Sequence, residues 1–600
     1  MTRTLLATAL LTVLLASADA QASAAAPVAA AVAVVQTADA RFVDLSKRWL
    51  EGSMRLSPVG ATQTGDHRFD NQIDDFSAAG RQRAMSFDRR MLTELDRIDA
   101  GTLSRANQVD ADLLRNQLRY DLWGWETLQA WAWDPQVYNG VAGGALYTLM
   151  ARDFAPMPQR LKAATARMRK LPALLAQMRA NLDPARVPLI HAQTVAKQNH
   201  GVIDIVDGMI LPEAKALPAA DRKALEDAAA ALRKAVDEQQ VWLDKTLVPN
   251  AKGDFRLGRK LYDEKLAFAL NSTLSRAEIR QRAEAAIAQT RSEMYDIART
   301  ALKGKADAPA MPDQPSDEQQ QKVIEAALEI AYADRPARDK VVETAEQALA
   351  DATTFVREHH LVSQPDSPVK VILMPEFQRG VAVAYCDSPG PLDKGLDTFY
   401  AVSPIPDDWK QEQVDSFLRE YNRRSINELS IHEAMPGHYV QLWHSNKYPS
   451  TLRAVLGSGS FVEGWAMYGE RQMANAGYMG GDPLMQLIQR KWALRAMANA
   501  VLDQAIHVDG MSREDAMKLM TVTTFQQERE AAGKWVRAQL TSAQLPTYFV
   551  GYSEWMDLRK EAEQRAGDKF DVQAFHDQAL SYGSPPLRFA RELMFDLPIQ

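Results

Sequence analysis

From about Asp39 to the C-terminus, apolar residues recur at three- and four-residue spacing almost without interruption, the pattern of helices packing a shared core. The clearest stretches are 42–54, 81–98, 106–132, 160–182, 219–247, 276–301 and 319–332, most of them bounded by Pro, Gly or Asp. Ser275 ahead of Arg276-Ala277-Glu278 fits a capping box, and Pro336 suits the first position of a helix ending near Glu358. One region breaks the period. Residues 369–374, 381–385 and 398–402 are short, β-prone and separated by Pro/Gly-rich turns. They predict a small antiparallel sheet or meander, at about 369–402, set in a mainly α body. Its third strand lies nearest in sequence to the motif described below and is the expected free edge.

A chain of 600 residues exceeds what one hydrophobic core usually organises. The reading divides it into an N-terminal helical region, 41–310, and a second helical region, 311–600, that holds the sheet and the motifs. A net charge of -7 with dispersed basic residues leaves no electrostatic footprint for nucleic acid. At the N-terminus, Arg3, an apolar run from Leu5 to Ala16 and the small-x-small signal Ala18-Asp19-Ala20 predict a secretory signal peptide, 1–20. Residues 21–40 read as a flexible Ala/Val-rich leader. The expected location is periplasmic or extracellular, without stable membrane insertion once the signal is removed. No cysteine ends the apolar run to take a lipid, and the only cysteine, Cys386, reads as structural filler at a strand end.

Three of ten histidines, His432, His438 and His444, fall within thirteen residues, and Glu433 follows the first. His-Glu opens the zinc-peptidase helix motif, whose second histidine stands at i+4 and shares a face with the first. Here it stands at i+6, roughly 120° out of alignment on a straight helix. Pro436-Gly437 offers a kink or bulge at 435–437 that would bring His438 onto the face of His432. A helix end followed by a turn, with two unrelated histidines, fits the same residues. Downstream, Glu463 and Glu470 lie seven apart and so on one face. Glu463 would complete a His₂Glu set that leaves a fourth position for water. Glu470 would orient a histidine, or would pair with Arg471 or solvent.

The segments HEAMPGHYVQ (432–441) and EGWAMYGE (463–470) resemble the large bacterial family labelled DUF885, with its HEAxPGHxxQ and EGWAxYxE pattern. Arg495 to His507, Gln544 to Gly551, and Phe575-His576-Asp577 with Gly583 to Leu587 resemble further family segments, and the likeness runs from about residue 40 onward. Leu545 and Pro546 depart from it and put the backbone around Tyr548 in question. The resemblance implies a helical, cleft-shaped, metallopeptidase-like body that holds Zn2+. It implies His432, His438 and Glu463 as ligands and Glu433 as general base.

On this reading the chain is an exported zinc peptidase acting on short peptides through a metal-activated water. A zinc amidase acting on a non-peptide amide, or a metal- or peptide-binding protein without turnover, uses the same residues. Tyr548 and His507 are candidate donors to the reacting carbonyl, a buried and satisfied side chain being the equal alternative for each. Asp503 would fix the tautomer of His507 or form a surface pair with it. His444 and His576 read as structural, His359-His360 as a helix-end cap, and Trp465 and Tyr468 as packing.

Overall fold

The helix that first emerges from the sequence pattern starts at Ala38, and from there the computed structural model is helical nearly throughout. It describes residues 37–366, 369–374 and 383–600. The expected signal peptide and the leader up to residue 36 lie outside the described residues, as do Val381 and Ala382 of the second expected strand. The last leader residues, 38–40, form the first turn of helix Ala38–Leu56. The capping box forms as expected, Ser275 and Glu278 each satisfying the other's backbone at the head of Arg276–Leu302. Pro336 does not open the next helix. Ala337 stays extended, a short 3-10 turn follows, and the helix proper is Val341–Glu358.

Three strands form the sheet: β1 (Lys370–Leu373), β2 (Ala384–Asp387) and β3 (Phe399–Val402), in the order β1-β3-β2. Here the structure corrects the expectation. β3 pairs parallel with β1 (Val371 opposite Tyr400) and antiparallel with β2 (Cys386 opposite Tyr400), so the sheet is mixed. Among the described residues β3 is therefore the central strand, and β2 and β1 are the edges. Tyr400, Ala401 and Val402 are buried accordingly, because a central strand is covered along both sides.

The apolar core of Ala38–Gln600 gathers mainly into two clusters. One spans helices from Val59 to Val248, the other those from Tyr262 onward, and they part between Ala251 and Leu257. Within the second, helix Pro483–Gln504 is buried on nearly every side and packs along Arg276–Leu302. Helix Gly459–Asn475, which carries Glu463, packs along Pro546–Ala566. Their backbones touch at Gly464 and Gly551: a Cβ on Gly551 would lie 1.8 Å from the Ser460 carbonyl oxygen. Trp555 donates to the Phe461 carbonyl at 3.1 Å and fixes the two helices in register.

Candidate metal centre

His432 lies in the last turn of helix Arg423–Glu433, whose start is capped by the Asn422 side chain on the N–H groups of Arg424 and Ser425. The helix stops at Glu433 and a new one, His438–Ser445, begins after a tight turn containing a cis Met435–Pro436 bond. The motif is thus two helices joined at a corner. The chain folds back so closely that Gly437 N–H donates to the Ile431 carbonyl at 2.9 Å. A Cβ on Gly437 would lie 1.8 Å from the His432 carbonyl oxygen, so only glycine fits. This corner removes the misphasing of i+6: the two imidazoles stand 4.7 Å apart, centroid to centroid, at 87°.

Glu463 faces both rings. Its Oε2 lies 3.6 Å from Nε2 of His432 and 3.5 Å from Nε2 of His438. These are long for hydrogen bonds, and this buried oxygen has no hydrogen-bond partner. Donors about 2.0–2.2 Å from one tetrahedral cation sit roughly 3.3–3.6 Å from each other, so the two distances to Glu463 and the N, N, O donor set suit a metal ion. His432, His438 and Glu463 are the group of ligand-type side chains that meets within 4.8 Å among the described residues.

The surroundings order these groups. Glu470 Oε1 lies 2.6 Å from Nδ1 of His432 and leaves Nε2 facing Glu463. Burial pulls the His432 imidazole down, but Glu463 and Glu470 outweigh it and hold the pKa well above the usual value. Burial acts against the Glu463 carboxylate too, and the two histidines hold its pKa well below the usual range. Glu433 is pushed up, by burial first and partly offset by both histidines. Its Oε2 accepts the backbone N–H of Cys386 at 2.9 Å. The outward edge of β2 therefore abuts the motif. The β-alternation places the backbone groups of Ala384 on that same edge.

One residue of this network escaped the sequence reading. Glu428, one turn before His432, is fully buried, and burial followed by Glu470 pushes its carboxyl well up, which favours its neutral form. Its spacing of four from His432 is the signal that would have found it.

Of the two candidate carbonyl donors, Tyr548 feels the charge of Glu463 and His507 is tied to backbone carbonyls elsewhere. Pro546 takes the first helical position of Pro546–Ala566, so the departure from the family pattern leaves Tyr548 in a regular turn. Burial, then the charge of Glu463, raises its phenol pKa, and its hydroxyl accepts from Arg537 at 3.4 Å. His507 is the correction. Its Nε2 lies 2.9 Å and 2.8 Å from the carbonyls of Ala538 and Thr541, tethering the end of helix Glu528–Leu540. This is the buried, hydrogen-bonded alternative, with Nε2 held by the two carbonyls. Asp503 is buried as well and accepts from Tyr262 and the Ala543 N–H, each at 2.7 Å, in place of fixing His507. His444 donates to the Ser363 carbonyl at 3.0 Å and His576 bridges Tyr468 and Leu361, both structural roles. Trp465 packs as expected and also donates to the Pro436 carbonyl.

Fold and site together define a mainly helical protein with a candidate His₂Glu metal centre at a corner between two helices. The chain belongs to the DUF885 family, described as bacterial proteins of unknown function, whose profile matches residues 58–594. A solved structure of "a putative lipoprotein of unknown function" from Shewanella oneidensis is 34% identical, with a TM-score of 0.78 over 92% of this chain and 99% of that one. A second "putative lipoprotein", from Colwellia psychrerythraea, shares the fold at 15% identity, with a TM-score of 0.76 over 93% and 99% of the two chains. No curated protein matches significantly.

Proposed function

We propose that this chain is an exported zinc-dependent peptidase acting on short peptides, with the helical body forming a metallopeptidase-like cleft. The observation that carries the reading is the convergence of His432, His438 and Glu463 within 4.8 Å, beside a half-buried glutamate, Glu433, that is not among the three. A binding protein needs the three ligands; Glu433 adds a base. Zinc held by these residues would supply Lewis acidity, lowering the pKa of a bound water and polarising the carbonyl.

The chain's own groups then divide the work. Glu433, its pKa raised by burial and its orientation fixed by Cys386 N–H, takes the proton of the attacking water and returns it to the leaving amine. Glu470 holds the tautomer of His432. The Tyr548 hydroxyl, close enough to Glu463 to feel its charge, donates to the oxyanion. The edge strand β2 aligns an extended peptide by backbone hydrogen bonds, the role first expected of β3.

Export is supported by the secretory pattern at the N-terminus and by the lipoprotein descriptions of the two structural relatives. Among the described residues no helix is long and apolar enough to cross a membrane. Hydrolysis of a mixed peptide pool by the zinc-loaded chain, followed by mass spectrometry, tests the activity. Products that vanish on chelation and return with zinc support it; no products at full zinc occupancy contradict it.

A further inference from the structure

The base of the proposed site, Glu433, leans on a strand that the N-terminal core cluster holds at one end. Glu433 Oε2 accepts the Cys386 N–H at 2.9 Å on the outward edge of β2. The next residue, Asp387, ends that strand. Arg152 stands just past helix Gln136–Met150, whose last residues belong to the N-terminal cluster. Its Nη2 donates to the Asp387 carbonyl at 2.6 Å and lies 2.7 Å from Asp387 Oδ1. Its Nε donates to the Asp397 carbonyl at 3.5 Å, and its guanidinium carbon lies 5.5 Å from the centre of the Phe399 ring. Tyr147, on the helix itself, donates its hydroxyl to Asp387 Oδ2 at 3.3 Å. One guanidinium thus ties the end of β2 to the start of β3, with the Arg152 and Asp387 side chains 14% and 18% exposed.

Among the described residues β2 has four residues and pairs along one edge only, so a charge-assisted bond at its last residue is a strong local restraint. Were the strand to slide, the Cys386 N–H would leave Glu433 and its carboxylate could turn. Misplacing a reacting group by about 1 Å costs on the order of 100-fold in rate. We propose that Arg152 is a positioning residue for Glu433, acting through Asp387 and the Cys386 N–H. The proposal rests on the peptidase reading and deepens it by naming what holds the base of that same site. Arginine suits the task because its rigid fork reaches Asp387 through Nη2 and Asp397 through Nε, whereas lysine offers a single point charge. Further along the β2–β3 connection, the Leu392 N–H donates to the Thr64 carbonyl at 3.0 Å and His67 Nε2 lies 3.1 Å from Asp393 Oδ1. Those contacts keep the connection attached when Arg152 is replaced.

The test compares zinc-loaded full chain as wild type, Arg152→Met and Arg152→Lys, each also combined with Glu433→Gln. Two quantities are read: amide exchange at Cys386, and kcat and KM on a peptide that wild type cleaves. The reference amide is Met374, whose N–H donates to the Val402 carbonyl at 2.8 Å on the far side of β3. Arg152→Met should speed Cys386 exchange roughly tenfold and leave Met374 as it is. It should lower kcat about 10–100-fold with KM within about twofold, and add nothing once Glu433 is already glutamine. Arg152→Lys, which keeps a cation beside Asp387 but loses the fork, should show smaller changes of the same kind. It carries the same comparison if the methionine variant fails to fold. Unchanged Cys386 exchange overturns the proposal whether or not wild type cleaves peptides. So does equal acceleration at Cys386 and Met374, which makes Arg152 a support of the whole sheet, and so does a loss of rate that persists undiminished in Glu433→Gln. Selective acceleration at Cys386 in a chain that cleaves no peptide contradicts the peptidase reading and leaves the hold of Arg152 on the β2–Glu433 contact standing.

Discussion

Trp465 donates its indole N–H to the Pro436 carbonyl at 2.8 Å, so the helix that supplies Glu463 also holds the corner between the two histidines. Gly469, a turn further on, leaves just enough room for the ring of Pro436, whose Cγ would lie 3.3 Å from an added Cβ. The three ligands are thus set by one contact between two segments. Trp465→Phe keeps most of the packing and orphans that carbonyl, at a cost of about 1–3 kcal/mol. Thermal melts should show the loss, with metal affinity falling alongside it; unchanged metal affinity would separate the corner from the site.

Gly437→Ala is expected to be worse. Its Cβ would meet backbone, not a movable side chain, at 1.8 Å. A cost of about 3 kcal/mol follows from overpacking of this kind, with zinc binding lost. An alanine variant that melts like wild type and binds zinc would refute the corner geometry.

Glu428 and Glu470 share one buried environment, which pushes the Glu428 carboxyl toward its neutral form. Glu428→Gln preserves a neutral group of the same shape and should leave stability within about 1 kcal/mol of wild type. Glu470→Gln removes the carboxylate that holds His432 and should weaken zinc binding about 10–100-fold. Competition with a chelator of known affinity reads both, and the reverse ranking would contradict the assignment.

How much of this the sequence disclosed depends on distance along the chain. Glu463 and Glu470 were legible as sharing a face because they lie seven apart. Helical spacing alone misphases His432 and His438, and their motif and family likeness pointed to them. The corner at Pro436-Gly437 was legible as a need to resolve the misphasing, though not as a break into two helices. The order of the sheet was not legible, since which of three short strands lies in the middle is settled by pairing between distant segments. His507 and Asp503, four apart on one helix, look like a catalytic pair. The carbonyls of Ala538 and Thr541 and the Tyr262 hydroxyl, far away in sequence, claim them instead.

His576 gives a pH signature apart from the metal. Fully buried, it accepts from the Tyr468 hydroxyl at 2.7 Å and donates to the Leu361 carbonyl, and burial brings its pKa down to about 4. Between about 4 and the usual 6.5 the unfolded chain binds this proton and the folded chain does not. Stability should therefore rise with pH across that window, by up to about 1.4 kcal/mol per unit, and be fully present above it. His576→Gln lowers stability overall and flattens this slope in denaturant melts; an unchanged slope would rule out His576 as its source.

Zinc content and peptide hydrolysis, measured together on wild type, His438→Ala and Glu433→Gln, bear most directly on the central claim. The account predicts zinc in wild type and in Glu433→Gln but not in His438→Ala. Hydrolysis should fall about 10²–10⁴-fold in Glu433→Gln, which keeps its metal but loses its base. Zinc retained in full by His438→Ala, or hydrolysis by Glu433→Gln equal to wild type, would contradict it.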